Sequence, residues 1–571
     1  MPKITDSARR NALAATTLAL GIAILFLHPT DQYFFNDSLS TLASRSLTWR
    51  AAFLDFFRLG GARWYRPLAN GFVQFLVWPL FGMNFAAYHA LAMVLHWAVC
   101  FELYLILNVV VEDSFAAWVG AAFFAFHPIQ FYATYDTSFY QEPLSGGLIL
   151  AALALPYAYV RYGGARRLAA GVLFFLLALS TREVAVFTPA LLAILIWPPF
   201  HFRRAAIAVG IMGGIGAAFA AVYLWVLHPL RYQPQEYLPD WSPAHLAVNL
   251  WTCIQWIFAI PAGSETDGWR SPALVRSLLW LFLIAAISGM ILFRKRQAAV
   301  WKGPACFCLA AGAALSTHRL WPHHLYVPLM GVALWIAGVL SCWRQSPSGF
   351  RLSRPVAAAL LSCVVVTSAI SARYDSVISW VGLCSQETRL PALYSRALFR
   401  DLPQWRGVWI VSKTDSANWV WLYGRLFNLM AGNAESRFEA RVVPARPATA
   451  PRGIHVFEYR DKMLWPLAIA ESTVASVPAA DVHVNPARVH PGTSYTIAVP
   501  ALAGRAIDLR YSYNDHVPSV AYAFVQLAAD GTASVFTPRD TAWGVVEILG
   551  VRPSGAAEWS PVSVRVEVLR D

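Results

Sequence analysis

Charged residues are scarce in this sequence. Only 13% of the 571 residues are Asp, Glu, Lys or Arg, whereas 57% are hydrophobic and the mean hydropathy is +0.47. A soluble protein of this length carries about twice that charged fraction. The apolar residues are concentrated between residues 11 and 372, and the chain after about residue 385 has an ordinary soluble composition. The sequence therefore predicts a membrane part followed by a soluble part.

Cysteine is rare, and the C-terminal part lacks it. The seven cysteines all lie at or before Cys384, most of them within apolar segments. This distribution argues against a disulfide-stapled domain and against a structural zinc site in the soluble part. Cys306 and Cys308 lie in an apolar run without His or Cys partners at ligand spacing, which favours a packing role.

Nucleic-acid-binding motifs are absent despite the net charge of +13. Most Lys and Arg residues lie in short loops between apolar segments, without a basic stripe or recognition motif. Positive short loops are typical of the cytoplasmic side of membrane proteins. The charge therefore indicates membrane topology, with lipid as a partner and nucleic acid excluded.

Eleven apolar segments are predicted to span a membrane as helices, since a bilayer core of about 30 Å needs around 20 apolar residues. The first follows Lys3, Arg9 and Arg10 and resembles a signal sequence. No small-x-small cleavage site follows before Asp31, so we expect an uncleaved first span. The predicted spans lie near residues 11–29, 86–110, 115–131, 143–161, 165–181, 184–199, 205–228, 275–293, 299–316, 324–342 and 355–373.

Four basic loops, beginning at Arg161, Arg203, Arg294 and Arg344, set the predicted orientation. With a cytoplasmic N-terminus all four are cytoplasmic, and eleven spans place the C-terminal region on the opposite face. The external loop at residues 30–85 disagrees because it carries five arginines, which can bind lipid phosphates at the membrane surface. Interfacial or re-entrant segments are predicted at residues 49–59, 67–82 and 246–262.

The C-terminal region is predicted to hold two domains after a membrane domain at residues 1–378. Residues 379–475 form a small α/β domain, in which RGVWIVSK and GIHVFEYRD are strands and WVWLYGRLFNLMAG is a helix. Residues 476–571 alternate with period two and predict an immunoglobulin-like β-sandwich. Its predicted strands are YTIAV, AIDLRYSY, AYAFVQLA, WGVVEILGV and VSVRVEVL.

Ionisable residues gather at the predicted external ends of the spans, although such residues are costly in hydrocarbon. Arginine matches phosphate geometry with paired donors, and a carboxylate can remove a proton from an acceptor hydroxyl. This combination suits a reaction between a membrane-dissolved phosphate ester and a water-side acceptor. A lipid phosphate is already stable as the leaving anion, so no general acid is required. The residues are Asp37, Arg66, His89, His127, Asp136, Glu142, Arg182, Glu183, His318, Arg319, His323 and His324.

Motifs in the membrane part resemble those of the transmembrane, tetratricopeptide-containing O-mannosyltransferases. YRPLANGF (65–72) and GMNFAAYHALAMVLHW (82–97) resemble the family's YRPL and HxxNxxxH segment. AAFFAFHPIQ (121–130), LALSTREVAVFTPALL (177–192) and HHLYVPLMGVAL (323–334) resemble LFAxHP, LLSKExAxxxP and RYLYLPxxG. The motifs occur in the same order and spacing. The resemblance implies a GT-C type multispan glycosyltransferase, the class that includes the protein O-mannosyltransferases.

The resemblance covers about residues 10–345 and implies sugar transfer from a polyprenyl- or dolichyl-phosphate donor on the non-cytoplasmic face. It also implies a catalytic carboxylate in the first external loop, where Asp37 fits best and Asp31 is the alternative. Asp37 also suits the N-cap of a following helix, and the two roles are compatible. A divalent cation near Asp37 is compatible with the sequence, although no ligand spacing requires one. The residues expected to bind the donor phosphate are Arg66, Arg182, Arg319, His323 and His324, and the acceptor-side or secondary acidic residues are Asp136, Glu142 and Glu183.

The sequence also departs from the family. A paired acidic motif is replaced by Asn36–Asp37, a lysine by Arg182, and the acid that follows the HP motif comes later, at Asp136 or Glu142. A β-rich domain stands in place of the tetratricopeptide repeats, which favours a bacterial inner membrane. The donor sugar and the acceptor, whether protein, lipid or glycan, therefore stay open.

Structural roles and other functions compete with this interpretation. Arg182 and Glu183 suit an ion pair at a helix junction, His89 and His96 suit hydrogen bonds between helices, and His127 suits a helix end. A lipid or polysaccharide transporter or flippase often shows internal repeats and broken midplane helices. The sequence shows no convincing internal symmetry, and its charged residues lie at one end of the predicted spans rather than at the middle. A non-catalytic envelope assembly protein, whose β-domain binds polysaccharide or proteins, is a further alternative.

Overall fold

Two compact units, one of helices and one of strands, make up the described part of the chain. The structure is a computed structural model. It describes residues 2–27, 66–82, 84–135, 140–198, 200–227, 239–258, 273–293, 298–318, 320–345, 347–377, 405–412, 439–443, 445–460, 463–471, 482–490, 493–513, 520–536, 544–554, 556 and 559–569.

The helical unit follows the apolar segments of the sequence. Asp113 illustrates how a polar residue sets a boundary, since its side chain accepts hydrogen bonds from the N–H groups of Phe115 and Ala116 at the start of a helix. That helix ends at Phe126, before His127, as predicted. The described helices are α1 (Pro2–Phe26), α2 (Pro67–Phe81), α3 (Phe85–Val111), α4 (Ser114–Phe126), α5 (Gln130–Tyr135), α6 (Gln141–Tyr162), α7 (Ala165–Leu179), α8 (Thr188–Ile196), α9 (Phe202–Val222), α10 (Pro243–Phe258), α11 (Ala273–Phe293), α12 (Ala299–Leu315), α13 (Tyr326–Arg344) and α14 (Pro347–Val377).

Five helices within the described ranges are long and apolar enough to cross a membrane. Each of the eleven predicted spans contains a helix, and several of the others hold shorter apolar stretches of 10–17 described residues, such as Ser277–Ile291 and Arg354–Ile370. The count of eleven spans therefore stays a prediction. The five segments are Ser7–Phe26, Phe85–Val111, Gln141–Tyr162, Phe202–Trp225 and Pro322–Arg344.

Two of the segments predicted to be interfacial or re-entrant are helical in the structure, and their position relative to a membrane stays a prediction. Residues 67–82 contain α2, in which Phe72–Val77 is a π-helical stretch. Residues 246–262 overlap α10. The third segment, 49–59, lies outside the described residues.

Helix α13 is the centre of the helical unit. Its residues from Tyr326 to Cys342 are all buried. Helix α12 packs closely against it, because a Cβ atom at Gly303 would collide with the backbone of Trp335 and one at Gly331 would lie 2.5 Å from the backbone nitrogen of Phe307. Small residues permit such close approach between membrane helices.

The strand unit begins with a four-stranded sheet of order β2-β1-β4-β5. Strand β1 pairs in parallel with β2 and β4, and β5 is antiparallel to β4. Two of these strands were predicted from RGVWIVSK and GIHVFEYRD, whereas the predicted helix WVWLYGRLFNLMAG lies outside the described residues. The strands are β1 (Gly407–Val411), β2 (Glu439–Val443), β3 (Thr449–Ala450), β4 (Ile454–Arg460), β5 (Met463–Leu467) and β6 (Ala470–Glu471), of which β3 and β6 pair with each other.

Two further sheets share one hydrophobic core. Their orders are β11-β10-β13-β14-β8 and β12-β9-β7. Ile497 on β9 lies in the same core as Ile507 on β10 and Ile548 on β13. All five strands predicted here are present, and the immunoglobulin-like type stays a prediction. The strands are β7 (His483–Asn485), β8 (Arg488–Val489), β9 (Ser494–Ala498), β10 (Ala506–Tyr513), β11 (Val520–Gln526), β12 (Thr532–Phe536), β13 (Gly544–Pro553) and β14 (Ser560–Val568).

Arg552 on β13 joins the four-stranded and five-stranded sheets. Its Nε atom donates to Asp508 at 3.1 Å and its Nη2 atom donates to Glu439 at 2.8 Å. Trp409 donates to the same Glu439 oxygen at 2.7 Å, and the ring centre of Trp559 lies 4.2 Å from the guanidinium carbon. Arg552 is only 1% exposed, so these partners compensate a fully buried charge.

Candidate active site

Arg66 lies directly before α2 and makes paired contacts with Glu183. Its Nε atom lies 3.3 and 3.2 Å from the two carboxylate oxygens, and its Nη2 atom donates to Oε2 at 2.9 Å. Its Nη1 atom donates to Oε1 of Gln141 at 2.7 Å. The N–H of Leu68 donates to the carbonyl of Ser180 at 2.9 Å, so the backbone also joins the start of α2 to the end of α7.

Arg182 forms a second ion pair, with Glu142 in the first turn of α6. The extended backbone of Arg182 (φ −158°, ψ 144°) turns successive side chains in opposite directions. Arg182 therefore reaches Glu142, while Glu183 reaches Arg66. The Glu142 side chain is fully buried and lies at the positive end of the helix dipole, beside Arg182.

Arg66, Gln141, Glu142, Arg182 and Glu183 are called here the arginine–glutamate cluster. Arg66 pairs with Glu183 and Arg182 pairs with Glu142, so the formal charges of the four side chains sum to zero. They come from the residue before α2, the first turn of α6 and the turn after α7. Buried charges persist when they are paired and hydrogen-bonded, so the cluster holds both guanidinium groups in fixed positions.

His323 and His324 lie beside this cluster, in the short 3₁₀ turn before α13. The charges of Arg66 and Arg182 act on both imidazoles, and the two rings meet edge to face with centres 4.5 Å apart. The N–H of Trp321 donates to Nδ1 of His324 at 3.4 Å. Because Nδ1 of His324 accepts, its neutral ring carries the hydrogen on Nε2. Guanidinium and imidazole groups gathered in this way are of the types that bind a phosphate group.

Six of the nine predicted site residues are brought together at this place. Asp37, Asp136 and Arg319 lie outside the described residues, so their positions stay predictions. The six residues are Arg66, Glu142, Arg182, Glu183, His323 and His324.

His89 and His96 join helices through hydrogen bonds. The ring nitrogens of His89 lie 2.7 and 2.8 Å from the carbonyl oxygens of Thr134 and Phe26. Nδ1 of His96 lies 2.9 Å from the hydroxyl oxygen of Tyr326. These contacts match the structural role predicted for both residues from their spacing on one helix face.

Gln141 is a member of the cluster that the sequence did not indicate. Its side chain has no charge, and its only sequence signal is its position next to Glu142. Its amide oxygen accepts from Nη1 of Arg66, whose Nε and Nη2 atoms contact Glu183. Gln141 therefore links the two ion pairs, since Glu142 follows it on α6.

Comparison with known proteins gives a distant structural likeness. No protein-family model matches the chain, and no curated protein sequence matches it. Among solved structures, the oligosaccharyltransferase of Archaeoglobus fulgidus tethered to an acceptor peptide with the NVT sequon is similar, with a TM-score of 0.43 and 12% identity. The same enzyme in complex with zinc and sulfate gives a TM-score of 0.42 and 13% identity. Each match covers 76% of this chain but only 64% and 62% of the neighbour.

Proposed function

We propose that this chain is a membrane glycosyltransferase of the GT-C type, which transfers a sugar from a polyprenyl-phosphate-linked donor to an extracytoplasmic acceptor. The observation that carries the proposal is the convergence of two arginines and two histidines at one end of the helical unit. The order of family-like motifs in the sequence supports it further, because Arg66, Arg182 and His323 each belong to one of those motifs.

In this proposal the cluster binds the phosphate of the donor. Arg66 and Arg182 supply paired N–H donors, and His323 and His324 add imidazole donors, together with Arg319. Glu142 and Glu183 are positioning residues, because each holds one guanidinium through an ion pair. Fixed donors of this kind stabilise the charge that develops on the leaving phosphate without reorganising during the reaction.

Asp37 is the proposed general base. It removes the proton from the acceptor hydroxyl as the acceptor oxygen bonds to the sugar carbon and the bond from that carbon to the phosphate oxygen breaks. The polyprenyl phosphate leaves as an anion and keeps the bonding electrons. Asp136 is the proposed secondary acidic residue on the acceptor side.

The experiment is a transfer assay with membranes that contain the full chain. A panel of polyprenyl-phosphate sugars is supplied together with envelope extract as the acceptor source, and release of polyprenyl phosphate is measured. Loss of a general base lowers rates by about 100-fold to 10,000-fold, so Asp37→Asn should lose activity in that range while its melting temperature is unchanged.

Glu112→Gln is the matched control for this assay, because Glu112 is an exposed carboxylate at the end of α3. The control should transfer sugar at the wild-type rate. Wild-type transfer by Asp37→Asn would remove Asp37 from the mechanism. Absence of release with every donor in wild-type membranes would overturn the proposed function.

A further inference from the structure

Asp240, His245 and His318 form a group of potential metal ligands in the helical unit, apart from the arginine–glutamate cluster. One ligand atom from each residue lies within 4.8 Å of the other two. Asp240 and His245 are half-buried, and His318 is exposed. Asp240 lies just before α10 and His245 lies in its first turn, whereas His318 follows α12. His318 is distant in sequence from the other two residues and is brought to them by the fold.

Backbone contacts hold Asp240 against the turn after α12. Its N–H donates to the carbonyl of Ser316 at 2.6 Å. Its Oδ1 atom accepts from the N–H of Ser242 at 2.8 Å. The other carboxylate oxygen, Oδ2, lies on the side of His245.

Hydrogen bonds define which nitrogen of His245 can bind a metal. Its Nε2 atom lies 2.9 Å from the carbonyl oxygen of Thr317 and 3.0 Å from the amide nitrogen of Asn249. The carbonyl can only accept, and the two amide hydrogens of Asn249 have carbonyl acceptors of their own, so we assign the hydrogen to Nε2. The amide of Asn249 donates to the carbonyls of Leu315 and Thr317 at 2.8 and 3.0 Å. The lone pair of Nδ1 therefore faces Asp240 Oδ2 at 3.9 Å, a separation too long for a hydrogen bond.

We propose that Asp240, His245 and His318 bind a divalent transition-metal ion of the zinc type. Two imidazole nitrogens and one carboxylate oxygen are a donor set that zinc takes with water in the fourth position, whereas Mg²⁺ and Ca²⁺ prefer oxygen ligands. Zinc bonds of about 2.0–2.2 Å place ligand atoms roughly 3.3–3.5 Å apart. The exposed His318 ring can close the remaining gap by rotation of its side chain.

A hydrogen-bond partner that would orient one of the metal ligands is already in place. The carbonyl of Thr317 fixes the orientation and tautomer of the His245 ring, which is the usual role of an outer-shell partner. A bound ion would tie the segment before α10 to the turn that leads into His323. The site does not depend on the proposed glycosyl transfer, because none of its ligands belongs to the arginine–glutamate cluster.

The test measures zinc binding by the full chain, purified in detergent without an affinity tag and stripped with a chelator. Titration with ZnCl₂ should show one zinc per chain and a rise in melting temperature. Loss of even an outer-shell partner weakens metal binding by about 10-fold to 100-fold. His318→Ala should therefore lose at least about tenfold in affinity, and Asp240→Asn should do the same.

His201→Ala is the matched control, because His201 is an exposed histidine of the same unit, directly before α9. It should bind zinc as the wild type does. His318 is exposed, so its variant tests the ligand role without disturbing the core. Absence of stoichiometric zinc binding in the wild type would overturn the proposal, and so would wild-type affinity in both His318→Ala and Asp240→Asn.

Discussion

At the scale of single residues, the site is defined by which arginine pairs with which glutamate. Arg182 and Glu183 are neighbours in sequence, yet they do not pair with each other in the structure. Each one pairs with a residue from another segment, Glu142 and Arg66 respectively. The sequence had left open an ion pair between Arg182 and Glu183 themselves. The extended backbone at Arg182 explains the difference, because it separates the two side chains.

The buried pair of Glu142 and Arg182 gives a prediction about stability. Removing one partner of a buried ion pair costs about 3–5 kcal/mol because it leaves an uncompensated charge, whereas replacing both partners by well-packed apolar side chains is often neutral. Glu142→Gln and Arg182→Gln should therefore each lower the melting temperature in detergent, and the double variant should recover much of the loss. The measurement is a double-mutant cycle of thermal unfolding.

Arg166→Gln serves as the control for that cycle, because Arg166 is exposed at the start of α7. Its melting temperature should equal that of the wild type. Wild-type stability of both single variants would contradict the role of the buried pair. A double variant that loses the sum of the two single losses would contradict it as well.

At the scale of elements, hydrophobic patterns predicted most of what is seen. Apolar runs marked the helices, and alternation with period two marked the strands, since burial sets both patterns directly. The pattern did not indicate the contact of Arg552 with Asp508 and Glu439. That contact depends on strand register and on the packing of two sheets, and neither is encoded in local periodicity. For the same reason the sequence suggested that charged residues gather at helix ends but not which of them pair.

Two glycines on α12 test how closely it packs against α13. A Cβ atom at Gly303 would collide with the backbone of Trp335, whereas one at Gly312 would meet nothing within 4 Å. Gly303→Ala should destabilise the protein by about 1–3 kcal/mol through overpacking. Gly312→Ala should be neutral or stabilising by up to about 1 kcal/mol, because alanine favours helix.

The two variants are compared by melting temperature in the same detergent. They are matched in chemistry and lie on one helix, so helix propensity alone would move both in the same direction. A gain in stability for Gly303→Ala equal to that of Gly312→Ala would contradict the close contact between α12 and α13.

At the scale of the whole molecule, the described chain combines a helical unit with apolar spans and a unit of sheets. The helical unit carries the paired arginines and the histidines at one end of α6, α7 and α13. An enzyme that uses a lipid-linked sugar needs phosphate-binding groups at the level of the membrane. A transporter for the same lipid would use similar groups, so the two functions differ only in whether a glycosidic bond is formed.

The most direct measurement uses the purified full chain in liposomes that contain a polyprenyl-phosphate donor with an isotope-labelled sugar, together with envelope extract as the acceptor source. Mass spectrometry follows the label, and lipid analysis follows the carrier. We predict that the label leaves the carrier, enters a new glycosidic bond and leaves free polyprenyl phosphate behind. Movement of the intact labelled lipid across the bilayer, with no new glycosidic bond, would contradict the account.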